Sequence, residues 1–160
     1  MRYYPIFLDV RGRRCAVVGG GRVAERKVQA LLRAGASVHV ISPAVTPRLA
    51  LLAARKKIDL TPRAYRPGDL ERPAPARVKR PRDVPPVLVF AATNDRATNH
   101  RIGIAAKGRG LFANIADSAA ECDFVVPARV QRGQVHVAIS TGGESPRLSA
   151  ELRSKLDEIL

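Results

Sequence analysis

The sequence predicts an α/β protein built on a parallel sheet, and three observations carry that reading. Short apolar runs alternate with stretches whose apolar residues recur at helical spacing, the rhythm of βαβ units. The first apolar run ends in three consecutive glycines, Gly19-Gly20-Gly21, that open a helix. After Cys122 the rhythm changes to two extended segments around a turn, followed by a last helix.

Cys15-Ala16-Val17-Val18 is short, continuous and apolar, as a strand buried on both faces must be. Ala24, Val28 and Leu31 then fall on one helix face, and Gly35 stands where a glycine ends a helix. Val38-His39-Val40-Ile41 reads as a second strand. Thr46 as N-cap and Pro47 in the first turn open a helix carrying Leu49 and Leu52. Ile58-Asp59-Leu60 reads as a short strand. Residues 67–86 hold six prolines among many charges. That density excludes regular helix and central strand, so a surface loop is expected. Residues 87–91 restore the strand pattern, 99–107 read as a helix stopped by Gly108 or Gly110, and 111–115 as the next strand. Residues 124–127 and 134–139 flank a turn at Arg132-Gly133, which predicts a hairpin. Ser145-Pro146 caps a final helix with Leu148, Leu152, Leu156 and Ile159 on one side. Such a face needs a partner subunit or a further C-terminal segment to pack on.

At 160 residues, with 46% in the apolar class, the chain is one domain, or one with a short appendage, and can bury a core. No run approaches the ~20 apolar residues of a membrane span, and the N-terminus lacks the pattern of a secretory signal. Cys15 and Cys122 make neither a disulfide framework nor a metal-ligand pattern, so a reducing cytoplasm is expected. The net charge of +14 points to anionic partners, although arginines scattered along the whole chain fit genome composition equally well. Aromatics, at 4%, are too few for a base-stacking platform.

Gly19-Gly20-Gly21-Arg22-Val23-Ala24 fits G-x-G-x-x-A between a strand and a helix, the context that makes this a dinucleotide-binding turn in a Rossmann-type sheet. Gly19 permits the tight turn, Gly21 lets a pyrophosphate approach the backbone, and Ala24 permits close helix–sheet packing. Ser42, Pro43 and Ala44 follow the second strand and join the cofactor-binding candidates. No Asp or Glu stands there for a ribose, so NAD and NADP are not distinguished at that position, and Arg22 would attract a 2′-phosphate. Thr93 and Asn94 follow another strand and are either cofactor contacts or a helix N-cap. Asn114-Ile115-Ala116-Asp117 ends a strand at the same edge. Asp117 is either a base that takes a substrate proton or a plain surface carboxylate, with Asn114 a candidate substrate contact. Ser140, Thr141, Gly142, Gly143 and Ser145 form either an anion-binding loop or a strand-to-helix connector. His39, His100 and His136 lack metal-ligand spacing, and no metal site is expected.

Taken in order, several segments resemble the precorrin-2 dehydrogenase family, the N-terminal module of siroheme synthases. They are Tyr4-Pro5-Ile6-Phe7-Leu8, the run from Val17 through Gly19-Gly20-Gly21 to Lys27, Ala91-Ala92-Thr93-Asn94, Asn114-Ile115-Ala116-Asp117, Phe124-Val125-Val126-Pro127-Ala128 and Ser140-Thr141-Gly142-Gly143-Glu144-Ser145-Pro146. The resemblance implies oxidation of precorrin-2 to sirohydrochlorin with NAD as acceptor, and in some relatives insertion of ferrous iron. It implies that Asp117 is the acid–base residue and that Arg22, Val23, Pro43 and Ala44 lie against NAD. It implies residues 1–116 as the NAD-binding domain, 117–146 as a dimerisation arm in a homodimer, and 147–160 as the start of a helical segment. Thr141 takes the place of a serine that is phosphorylated in some relatives. Precorrin-2 is a polycarboxylate, which a basic crevice would attract.

Two other readings compete. One is a sirohydrochlorin ferrochelatase or a bifunctional enzyme. The other is a non-catalytic module that binds dinucleotide and nucleic acid, although no DNA-reading motif is recognisable. No nucleic acid and no membrane are expected as partners.

Overall fold

Strands that are apolar along their whole length require cover on both faces, and the first and fourth strands have it. β1 (Arg14–Val18) and β4 (Leu88–Ala91) are buried at every residue. The computed structural model describes residues 3–71, 85–142 and 145–160, without the Pro146 side chain. They divide into two compact units, Phe7–Asp123 and residues 3–6 with Phe124–Leu160.

In Phe7–Asp123, β1 and β4 pair with each other and with β2 (Ser37–Ile41), β3 (Asp59–Thr61) and β5 (Phe112–Ile115) in a parallel sheet of order β3-β2-β1-β4-β5. Val18 lies opposite Ile41 and Ala91, Ile41 opposite Thr61, and Ala91 opposite Ile115, so all five strands end level at one sheet edge. The order reverses between β1 and β4. At such a switch point the connections leave in opposite directions and open a crevice at the carboxyl ends. α1 (Arg22–Arg33) ends in a Schellman turn: Ala36 N–H donates to the Leu31 carbonyl at 3.1 Å while Gly35 takes φ +77°. α2 (Pro47–Ala54) begins where Thr46 accepts from Leu49 N–H.

Two local expectations are corrected in this unit. α3 runs Arg96–Lys107 and starts three residues earlier than its apolar spacing indicated. Its N-cap is Asp95, whose carboxylate accepts from Ala97 and Thr98 N–H, and the polar first turn hides the start from a periodicity argument. The second concerns the proline-rich stretch. Residues 72–84 lie outside the described residues, but the flanks are not surface throughout. Leu70 is 1% exposed within the main core and Pro86 is fully buried. The Arg63–Asp69 pair at 2.6 Å and the Arg109–Glu71 pair at 2.8 Å flank the turn that carries Leu70.

Beyond β5 the chain makes one 3-10 turn (Ala119–Glu121) and returns along the strand edge. There Asp123 exchanges backbone and side-chain hydrogen bonds with Ala113, both at 2.9 Å. The second unit is an antiparallel hairpin, β6 (Ala128–Arg132) and β7 (Val135–Ile139), with α4 (Pro146–Ile159) packed on both strands. The first hairpin strand is thus 128–132 rather than the more apolar 124–127, which ends in a proline without an N–H. The turn is Gly133-Gln134, with Gly133 at φ +54°.

Candidate functional site

Each of the three glycines after β1 answers a different steric demand. Gly19 sits at φ +121°, and a Cβ there would stand 2.2 Å from the Ala92 carbonyl oxygen at the end of β4. A Cβ on Gly20 would stand 1.9 Å from the Ala44 carbonyl oxygen and 2.7 Å from Ser42 Oγ. Gly21 is the reverse case: a Cβ would meet nothing within 4 Å. It is the N-cap of α1, at an ordinary φ of −80°, and offers no side chain to cap the helix. Helix geometry leaves the N–H groups of Arg22, Val23 and Ala24 without intrahelical partners. Open space in front of uncapped N–H groups at a positive dipole end fits a pyrophosphate.

The lip of this cradle is held from the β2 side. Thr46 N–H donates to the Gly20 carbonyl at 2.9 Å, and Thr46 Oγ1 donates to Glu25 at 2.6 Å. Gln29 donates to the other Glu25 oxygen at 3.0 Å. Glu25 is a site-building residue that sequence reasoning left unassigned; its place in the run after the glycines was the only signal. Ser42 is buried and spends its hydroxyl on the Ala44 carbonyl at 2.6 Å, so it shapes the loop, while Pro43, Ala44, Arg22 and Val23 are exposed. No acidic residue follows β2 there.

At the ends of β4 and β5 a second cluster forms. Thr93 is not the N-cap of α3; it is bound to Asn99, a residue with no exposed surface one turn inside the helix. Asn99 Oδ1 accepts from Thr93 N–H at 3.1 Å and Thr93 Oγ1 at 2.8 Å. Asn99 Nδ2 donates to the Thr93 carbonyl at 3.1 Å and to Asp117 Oδ2 at 2.9 Å. Asn94 is exposed beside them. The Arg96 guanidinium lies 4.0 Å from Asp117 Oδ1, but its close partner is Glu121, which also binds His100 at 2.9 Å. Arg96 first, and His100 second, hold the Glu121 carboxyl down at about 2. Asp117 is therefore a partly exposed carboxylate with one oxygen anchored and a basic side chain at the other.

Asn114 is buried beneath the same turn, 3.6 Å from Cys122 Sγ, which also accepts from Ile115 N–H at 3.1 Å. In the other unit, Ser145 caps α4 by accepting from Leu148 N–H at 3.1 Å. Thr141 Oγ1 bonds the Ser145 carbonyl and Ser149 Oγ, both at 3.0 Å, and Gly142 N–H donates to Ser140 Oγ at 3.3 Å. Gly143 lies outside the described residues. His39 bridges Arg14 and Thr61 at 2.8 Å each inside the sheet. Among the described residues no three His, Cys, Asp or Glu side chains are grouped to hold a metal, and no helix is long and apolar enough to cross a membrane.

A glycine cradle at the switch point of a parallel sheet, with polar groups at the adjoining strand ends, defines a dinucleotide-binding α/β protein. The chain belongs to the putative NAD(P)-binding family, whose model matches residues 6–128, and residues 132–158 match the model for the central part of sirohaem biosynthesis proteins. It is 39% identical, over its whole length, to siroheme synthase of Nitrosomonas eutropha, and 40% identical over 98% of its length to that of Methylococcus capsulatus. It spans only 31% and 30% of those relatives. The solved structure of the precorrin-2 dehydrogenase SirC superposes with a TM-score of 0.80 at 30% identity, over 99% of this chain and 71% of that one.

Proposed function

We propose that this chain catalyses the NAD-dependent oxidation of precorrin-2 to sirohydrochlorin in siroheme formation. The observation that carries the reading is an open pyrophosphate cradle at Gly21 and an anchored carboxylate at Asp117 on one sheet edge. NAD, when bound, supplies the ring that accepts a hydride. The backbone N–H groups of Arg22, Val23 and Ala24 would hold its pyrophosphate, with Pro43, Ala44, Thr93 and Asn94 as further candidate contacts. The substrate loses two hydrogens. One would leave as a hydride, and the other would leave as a proton to Asp117, whose negative charge would also steady the electron-poor macrocycle. The excess of basic side chains draws in a polycarboxylate. Ser140, Thr141, Gly142, Gly143 and Ser145 are its candidate contacts, and Asn114 supports the turn that carries Asp117.

In this reading residues 1–116 bind the dinucleotide, 117–146 serve as a dimerisation arm and 147–160 begin a helical segment. Val135, Leu148 and Leu152 are exposed apolar side chains of a kind that a second copy would cover. Light scattering of the chain at micromolar concentration should give twice the chain mass, and a monomer mass would refute the arm. Two buried free thiols, Cys15 and Cys122, suit the cytoplasm.

The deciding experiment mixes purified chain, NAD and precorrin-2 and follows NADH absorbance. Wild type should produce NADH. Asp117→Asn should keep NAD affinity and lose turnover by ~10²–10⁴-fold, the usual worth of a general base. No NADH from wild type, or full turnover in the variant, overturns the assignment.

A further inference from the structure

Asn99 is a polar side chain with no exposed surface, and every position of its amide is used. An amide offers two donors and two acceptor sites. Here Oδ1 receives Thr93 N–H and Thr93 Oγ1, while Nδ2 gives to the Thr93 carbonyl and to Asp117 Oδ2. The flipped amide would set an NH2 against the Thr93 N–H and an oxygen against both a carbonyl and a carboxylate, so the network fixes the orientation. Burial makes this geometry stiff, because a partly satisfied buried amide is costly. Asn99 therefore spans two strand ends. One side grips the loop after β4, and the other grips the carboxylate after β5. Asp117 Oδ1 takes no bond from Asn99 and has Arg96 at 4.0 Å.

We propose that Asn99 is the positioning residue for Asp117, locking one carboxylate oxygen to the Thr93 loop so that the other faces the reacting substrate. The inference rests on the dehydrogenase reading for its kinetic consequence, but the hold itself is testable without it. Nothing in the residue's sequence position gives this role; read as the first residue of a helix over 99–107, Asn99 has no partner in view until the fold brings Thr93 and Asp117 to it.

The test uses Asn99→Asp, Asp117→Asn and the two combined. Asn99→Asp is isosteric and keeps both bonds that Oδ1 accepts from Thr93, but it sets a carboxylate oxygen against both the Thr93 carbonyl and Asp117. Its Tm should fall. Turnover should fall by roughly 10²-fold, the loss typical of a reacting group displaced by about 1 Å. NAD affinity measured by calorimetry should stay near wild type, and KM for NAD should change little. In the combined variant the amide at position 117 can donate to the carboxylate at position 99, so Tm should recover in part, the Thr93 carbonyl still lacking its donor, while turnover stays at the Asp117→Asn level. Wild-type turnover in Asn99→Asp overturns the proposal. So does a turnover loss matched by lost NAD affinity, or a combined variant whose Tm losses simply add. If wild type makes no NADH, the dehydrogenase reading falls, and the Tm pattern alone still decides whether Asn99 holds Asp117.

Discussion

Gly20 and Gly21 are adjacent, chemically identical and bound to opposite expectations. Gly20→Ala drives a Cβ to 1.9 Å from a backbone oxygen, so the loop must move. It should cost about 1–3 kcal/mol or more in urea unfolding, as overpacking of a tight site does. Gly21→Val meets open space at an ordinary φ, so Tm should hold. In calorimetry, however, NAD affinity should fall by tenfold or more, that is ~1.4 kcal/mol or more of binding energy, because the branched side chain fills the cradle. Equal NAD affinity in wild type and Gly21→Val would remove the cofactor site. The motif made Gly19, Gly21 and Ala24 legible in the sequence. The demand on Gly20 was not, because the obstructing carbonyl belongs to Ala44, on a different strand end. Glu25 and Asn99 were hidden for the same reason: their partners, Thr46 and Asp117, come from other elements.

The element that most shapes the second cluster is the first turn of α3. Its start is set by Asp95, and its first helical residue, Arg96, reaches the 3-10 turn after β5 through Glu121. Glu121 is held at about 2, against an ordinary 4.5, chiefly by Arg96 and then by His100. A depressed carboxyl favours the folded state above its unfolded pKa, and that contribution fades as pH falls toward the folded value. Wild type should therefore lose stability relative to Glu121→Gln as pH drops from about 4.5 to 2, with the two urea midpoints converging at the acid end. The effect should shrink in high salt, because these side chains are partly exposed. A gap between the midpoints that does not change with pH would show that the pair does not hold the two turns together. Helix periodicity could place the body of α3 but not this junction, since a capping turn is polar and carries no apolar period.

Across the whole molecule, the fold of Phe7–Asp123 depends on chain segments that its own pattern disguises. Leu70 sits among prolines and charges, yet it packs with Val18, Ile41, Ala91 and Ile102 in the main core. Leu70→Ala should cost about 2–5 kcal/mol by chemical denaturation, as a buried truncation does, and a cost below ~0.5 kcal/mol, the range of surface substitutions, would return the segment to the surface. Continuous apolar runs and a glycine turn at a strand end determined on their own that there would be a parallel sheet, a dinucleotide cradle and helices between strands. The reason is that these features are local: a strand's burial, a helix's stripe and a turn's φ are written in neighbouring residues. The tertiary structure alone decided that Thr93, Asn99 and Asp117 would meet, that Gly20 would face Ala44, and that Leu70 would turn inward. Those contacts join residues from different elements, and they exist only once the sheet has brought the carboxyl ends of β2, β1, β4 and β5 side by side.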